Sequence, residues 1–310
     1  MKRFGQSSVT TAKGIQFAFF TALISGVSIF INKFAVSTVG QPLVFTAFKN
    51  SLVGILILGI LIATKKWKKI FSLGRKDKIN LTLIGIIGGS LPFYLFFTGI
   101  SQISAINAAM IHKTLVIWVA LLAIPLLKEK INKTHVAAVG LLFLSNLVIG
   151  GFKGLTFSRG ELLILSATVL WAIETIVAKK TLLNIDPDIV VAARMGIGAA
   201  ILIGAGVFTT PAAFNKILNL SFTQWGIVLA TATLLLGYVM SWYRALKYAP
   251  AITITSVLVA STIVTNVLSA VFITHSWNIN QTFQAIFIFA GLGLFWFADR
   301  KQSSILTVAS

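Results

Sequence analysis

Six ionisable side chains, Lys33, Lys49, His112, Lys113, Glu174 and Arg194, sit inside long apolar runs of this sequence. A charge at the centre of a bilayer costs at least about 2.5–3.5 kcal/mol, so each needs a partner or a wet cavity. Three kinds of chemistry are open to them. An ammonium or guanidinium can hold an anion, a carboxylate or imidazole can carry a proton, and opposite charges can neutralise one another. Lys33 lies at the end of its run and can snorkel to the interface. Lys49 and Arg194 each follow a helix-opening proline, Pro42 or Pro187, by seven residues, which puts them about 10 Å along a helix. Glu174 precedes Lys179 by five residues, at a depth like that of Arg194. A structural Glu174–Arg194 ion pair therefore competes with a proton-linked or solute-contacting carboxylate. His112 and Lys113 occupy the middle of their run, about 100° apart round a helix, and no acid falls within the runs of the first half. Lys113 is expected to remain a cation facing a wet cavity, with pairing to Glu174 or a neutral lysine as the alternatives. For His112, a hydrogen bond to a neighbouring helix competes with a functional role.

The elements that must position these groups follow from composition. Of the 310 residues 57% are hydrophobic and 11% charged, with a mean hydropathy of +0.93. Soluble domains carry about 25% charged residues, and no single core could hide this much apolar surface. Ten runs are long enough to cross a bilayer as helices, at 14–34, 42–63, 79–99, 105–127, 136–151, 162–178, 189–208, 225–246, 252–273 and 283–298. They are apolar at consecutive positions, which excludes the alternating pattern of barrel strands. The fold class expected is an all-α membrane protein of ten transmembrane helices. Residues 1–13 read as the flank of a retained first span rather than of a cleaved signal.

The net charge of +19 would point to nucleic acid in a soluble chain, but here it is loop charge. Nineteen Lys and Arg residues fall on one side of the ten-span arrangement, seven of them in the 65–78 loop, against Lys153, Arg159 and Lys216 on the other. The positive-inside rule then places both termini in the cytoplasm. With no Cys and three scattered His residues, neither a metal nor a cofactor is expected, nor a nucleic-acid partner. Asp186-Pro187-Asp188 has the look of a catalytic acidic pair, but it equally makes a helix start, with Asp186 as N-cap and Pro187 in the first turn. No enzymatic activity and no catalytic residue is expected. The basic loop Lys65-Lys66-Trp67-Lys68-Lys69 suits contact with lipid headgroups.

The chain also repeats itself at a shift of about 146 residues. Lys33, Pro42 and Lys49 are echoed by Lys179, Pro187 and Arg194, Phe97 by Tyr243, Ala105 by Ala251, and Glu129 by His275. Five spans are an odd number, so the second copy enters the membrane from the opposite side. The halves, 1–151 and 152–310, form two inverted five-helix repeats, a geometry typical of carriers whose site lies between the halves near the midplane. Gly88-Gly89-Ser90-Leu91-Pro92 is expected to interrupt span three, and Gly237 to interrupt span eight at a nearly equivalent position. The Gly85 and Gly89 spacing points to close helix packing.

Lys33 with Lys49, Ser104-Ala105 opening span four, Leu126-Leu127-Lys128-Glu129-Lys130 closing it and Leu170-Trp171-Ala172 in span six together resemble the drug/metabolite transporter superfamily, in its EamA-type ten-helix branch. The resemblance covers nearly the whole chain. It implies a secondary transporter of small polar metabolites, amino acids or related solutes, with export as the direction. From the residues themselves, the surplus of in-span cations points to a solute bearing a carboxylate or phosphate. The candidate solute contacts are Lys113, His112, Lys49, Tyr94, Trp118, Trp171 and Asn266, with Glu174 and Arg194 as coupling or gating groups. Packing or interfacial anchoring is the competing reading for the aromatic residues, and interhelical hydrogen bonding for Asn146 and Asn266. Proton coupling through Glu174 or His112 stays open, as do uniport and exchange. The partners expected are the small-molecule solute and membrane lipid, in a monomer or homodimer. An organophosphate or nucleotide-sugar carrier is the second reading, and a membrane-embedded enzyme or lipid-handling protein the third.

Overall fold

The computed structural model describes residues 8–39, 41–100, 102–103, 105–148 and 156–308, and every regular element among them is helical. Spans one and two are Ser8–Val39 and Pro42–Ala63, and span three is Arg75–Gly89 followed by Leu91–Ile100. Span four is Ala105–Lys113 then Leu115–Leu127, span five Lys133–Leu147, span six Arg159–Thr181, span seven Pro187–Thr209 and span eight Phe222–Tyr248. Span nine runs through Ala251–Leu258, Ser261–Ser269 and the π-helical Ala270–Thr274, and span ten is Ile279–Val308. Among the described residues nine helices are long and apolar enough to cross a membrane. Span five has 15 described helical residues, and the end of its predicted run lies outside the described residues.

Local sequence explains where these helices begin. Pro42 and Pro187 occupy first turns, where a missing N–H costs nothing. The Asp186 carboxylate accepts from Asp188 N at 3.0 Å, so the acidic pair is a helix start as the sequence predicts. Ser158 with Glu161 and Ser221 with Gln224 close reciprocal capping boxes, each satisfying two otherwise unpaired donors.

The internal repeat is visible in the backbone. Ala105 and Ala251 both open helices, and both helices tighten into i→i+3 bonding at the equivalent place: Thr114 N donates to Ile111 O at 3.1 Å and Ala260 N to Val257 O at 3.0 Å. Spans four and nine then end in left-handed residues, Lys128 and His275. The predicted break in span eight is not there. Phe222–Tyr248 is unbroken, and Gly237 instead gives room to the Ile24 side chain of span one, which a Cβ would meet at 3.2 Å. Without a proline beside it, a lone glycine weakens a helix by only about 1 kcal/mol, too little to break one packed on both sides. Span three does break, where Pro92 follows Ser90 by two residues.

The halves interlock. Span one packs against spans eight and nine, span six against spans three and four, span two against span seven, and span five against span ten. Spans three and seven cross glycine on glycine. A Cβ on Gly198 would lie 2.6 Å from the Gly89 backbone, and one on Gly89 would strike the Arg194 carbonyl. Small residues are what allow helix backbones to approach this closely in lipid. Gly198→Ala should therefore lower the melting temperature in detergent. Overpacking costs about 1–3 kcal/mol, more than the about 0.5–1 kcal/mol that alanine gains over glycine in a helix. An unchanged or higher melting temperature would remove this crossing from the account.

At the Lys-rich end Glu129, in the turn after span four, and the buried Lys179, in the last turn of span six, act as caps for other helices. The Glu129 carboxylate accepts from Ala251 N at 2.7 Å and Ile252 N at 3.1 Å, at the start of span nine. The Lys179 ammonium donates to Leu246 O at 2.5 Å and Ala249 O at 2.6 Å, at the end of span eight. An anion at a helix N-terminus and a cation at a C-terminus each complement the helix dipole. The turn between spans eight and nine is thus clamped by spans four and six.

Candidate functional site

Three of the in-span charges and polar groups converge where spans six, seven and eight meet. Tyr243 Oη donates to Glu174 Oε1 at 2.5 Å, Arg194 Nη1 donates to Tyr243 Oη at 3.2 Å, and Arg194 Nη1 lies 3.8 Å from Glu174 Oε2. Glu174 is 1% exposed and Arg194 7%, so both charges have left water. A pair so placed persists only if most of its hydrogen-bonding capacity is used, and here the phenol hydroxyl links the two. Arg194 Nε has no hydrogen-bond partner among the described residues.

The glycines of span three make the room for this cluster. A Cβ on Gly88 would lie 2.7 Å from Glu174 Cγ, so only glycine lets the carboxylate pass. Two carbonyls at the break find side-chain donors on other helices: Gly88 O accepts from Trp171 Nε1 at 3.2 Å and Gly89 O from Asn50 Nδ2 at 3.4 Å. The interruption is therefore wired to spans two and six.

His112 joins an aromatic cluster beside this wall. Its ring centroid lies 5.0 Å from Trp171 and 5.2 Å from Phe96, and Phe93 stands edge-on to Trp171 at 5.3 Å. His112 Nδ1 is buried with no hydrogen-bond partner among the described residues. Lys113, the next residue, is half-buried. Glu174 is committed to Tyr243 and Arg194, and no carboxylate among the described residues pairs with Lys113. Lys49 is 7% exposed, and its ammonium rests over the Phe45 ring at 4.9 Å. It too has no carboxylate among the described residues.

The remaining candidates lie apart in their bonding. Trp118 Nε1 donates within its own helix to Thr114 Oγ1 at 3.0 Å. Asn266 Nδ2 donates to Gln284 Oε1 at 2.6 Å, joining spans nine and ten. Tyr94 is 40% exposed. Asn146 Nδ2 donates to Leu142 O within span five. The side chain of Lys33 lies outside the described residues.

A second ionic cluster sits at the Lys-rich end, and the sequence did not single it out. Lys66 Nζ lies 3.0 Å from Asp186 and 2.6 Å from Asp188, and Arg244 Nη2 lies 2.6 Å from Asp188. It ties the end of span two, the start of span seven and the last turns of span eight. The signal available was the one acidic dipeptide frame in a strongly basic chain. Burial acts to raise the Asp186 carboxyl, but the Asp188 N–H and the hydrogen bond and charge of Lys66 outweigh it and hold it below its ordinary value. Burial acts to lower Lys66, and Asp188 and Asp186 outweigh it and raise it. The signs fix the pH window. Asp186 contributes above the ordinary carboxylate value and is lost as pH falls through its lowered one, and Lys66 contributes below the ordinary lysine value and is lost as pH rises through its raised one. The melting difference between the wild type and Lys66→Met should therefore be small, about 1 kcal/mol or less per pair. It should be flat between pH 5 and 9, since the ordinary values are about 3.9 and about 10.4. A difference that changes across neutral pH would show that another group governs this cluster.

Comparison with known proteins supplies the identity. The sequence matches the EamA-like transporter family over residues 12–151 and again over 158–297. It is 30% identical over 239 residues, 73% of this chain and 76% of the relative, to the "Uncharacterized transporter YyaM" of Bacillus subtilis (strain 168). It is 26% identical over 199 residues, 61% of this chain and 66% of the relative, to an "Uncharacterized transporter" of Archaeoglobus fulgidus. A crystal structure of 15% identity superposes with a TM-score of 0.76, covering 93% of this chain and 98% of the other, which establishes the fold alone. Two adjacent matches to one family, on a helical chain with a visible internal repeat, place the chain in the EamA-like transporter family of the drug/metabolite transporter superfamily, with its ten helices in two inverted repeats.

Proposed function

We propose that this transporter moves small carboxylate-bearing metabolites, amino acids among them, by alternating access across the cytoplasmic membrane, with both termini cytoplasmic and export as its direction. The observation that carries the solute class is an imbalance of charge. Among the in-span cations Lys49, Lys113 and Arg194, Arg194 has an acid within 4 Å, whereas Lys49 and Lys113 have none among the described residues. An unpaired buried cation is expensive, and a bound carboxylate would relieve that expense. The repeats 1–151 and 152–310 are taken as the units that built the fold. The bodies that rock against one another are read as the interlocked sets, span one with eight and nine, and span six with three and four. In this reading the Lys66–Asp186–Asp188–Arg244 cluster and the Glu129 and Lys179 caps fasten the cytoplasmic end in the closed-inside state.

Two unpaired lysines would also suit a phosphate dianion, so an organophosphate or nucleotide-sugar carrier is the second reading. A thermal-shift panel of amino acids, organic acids and phosphorylated sugars on purified protein separates the two, since a ligand of the folded state raises the melting temperature by mass action. Hits should then be accumulated by proteoliposomes loaded with the same solute. Stabilisation by phosphorylated sugars alone would shift the assignment to the second reading. Uptake only of solutes that bear neither a carboxylate nor a phosphate would overturn both.

A further inference from the structure

The inverted repeat can be read as a comparison of one half of the protein with the other. In the second half Glu174, Arg194 and Tyr243 form a closed chain of hydrogen bonds and charge. The shift of 146 residues that maps Lys33 onto Lys179 and Phe97 onto Tyr243 maps Ser28 onto Glu174, and Lys49 meets Arg194 at a shift of 145. The matching is anchored in the backbone at the proline helix starts, the tightened turns and the left-handed ends of spans four and nine. The first half thus has the cation, Lys49, with neither an acid nor a phenol at the matching positions, which hold Ser28 and Phe97.

Lys49 and several polar atoms of spans one and two lack a partner among the described residues. Lys49 is more than nine-tenths buried and has no carboxylate among the described residues, its ammonium resting on the Phe45 ring. Native proteins leave few buried polar side-chain atoms without a hydrogen bond. Here Ser28 Oγ on span one and Thr46 Oγ1 on span two, hydroxyls able to donate to an anion, are in that condition, as are the acceptors Asn32 Oδ1 and Asn50 Oδ1, which would suit a donor such as a solute ammonium. Ser28 and Asn32 are one helical turn apart, and Thr46 and Asn50 flank Lys49.

We propose that the solute's carboxylate binds at Lys49 with the Ser28 hydroxyl, taking the place in the first half that the Glu174 carboxylate takes in the second. This rests on the carrier reading above and narrows it: the chain neutralises one cation of the pseudosymmetric pair itself and leaves the other to the solute. Selectivity for anions is then set by the residue at 28, because an acid there would satisfy Lys49 permanently.

The test is to supply that acid. Ser28→Glu and its neutral counterpart Ser28→Gln are compared by thermal shift on the purified full-length protein, with L-glutamate, succinate and acetate as individual probes. A carboxylate that stabilises the wild type should still stabilise Ser28→Gln, less strongly because the Ser28 hydroxyl is gone. On Ser28→Glu its apparent affinity should fall about tenfold or more, the weight of one charge-assisted hydrogen bond. Ser28→Glu should also melt no lower than Ser28→Gln without ligand. Equal stabilisation of the two variants overturns the assignment. If Ser28→Glu does not fold, Lys49→Gln replaces it, and retained stabilisation by the same carboxylate overturns the assignment in the same way. If no carboxylate stabilises the wild type while another solute of the wider panel is transported, the carrier reading stands and the Lys49 carboxylate site falls.

Discussion

Glu174→Leu should destabilise the protein by about 3–5 kcal/mol, because it leaves Arg194 buried without its counter-charge. The neighbourhood offers no replacement. Arg194 Nε already has no hydrogen-bond partner among the described residues, and the remaining contact of Nη1, to Tyr243 Oη at 3.2 Å, is with a neutral group. The double variant Glu174→Leu/Arg194→Met should recover most of the loss, since removing both members of a buried pair removes the desolvation cost with the attraction. Tyr243→Phe should cost less, about 1–3 kcal/mol for one unmade buried hydrogen bond. These values are read from melting of the purified variants. A Glu174→Leu protein as stable as the wild type would mean that the carboxylate is not the anchor of this cluster. Glu174→Gln then separates structure from coupling. A folded variant whose transport has lost its dependence on a proton gradient marks Glu174 as a coupling group. A variant that only melts earlier marks it as part of the scaffold.

The fold was legible because lipid removes most alternatives: consecutive apolar runs of this length can only be helices, and an odd-numbered repeat must invert. The in-span charges were legible for the same reason, since each is conspicuous where charge is costly. Their wiring was not. Tyr243 stands out as the counterpart of Phe97 and as one of several aromatic residues able to line the pathway, and nothing in the sequence marks its hydroxyl as the link between Glu174 and Arg194. That depends on a third helix brought alongside by packing. Gly88 and Gly89 read as one interruption, yet they do different things, Gly88 admitting Glu174 and Gly89 admitting the backbone of span seven. The break assigned to Gly237 failed because glycine alone does not break a helix held on both sides. The tightening at Thr114 and Ala260 was missed because i→i+3 turns carry no strong residue preference. Loop charge was read in bulk for orientation, which hid the particular caps made by Glu129 and Lys179 and the cluster built on Asp188.

Lys113→Ala should give the opposite signature to Glu174→Leu. Lys113 is a half-buried cation with no acid among the described residues to answer it, so the folded protein bears part of the cost of desolvating it. Removing it should leave the melting temperature unchanged or raise it. Function should move the other way. Losing one member of a desolvated charge pair with a bound carboxylate costs about 2 kcal/mol or more, so uptake at subsaturating solute should fall by at least about 30-fold. Lys113→Arg, which keeps the charge on a longer and planar head, should retain part of that uptake. The aromatic wall of Trp171, Phe96 and His112 beside it is unaltered by either change, so a defect restored by arginine is a defect of charge. Uptake that survives Lys113→Ala would take this residue out of the solute path. A loss of uptake matched by an equal loss of stability would make it a scaffold residue instead. Stability and transport are expected to part company here because a residue held ready for a ligand carries its cost in the empty protein and returns it only on binding.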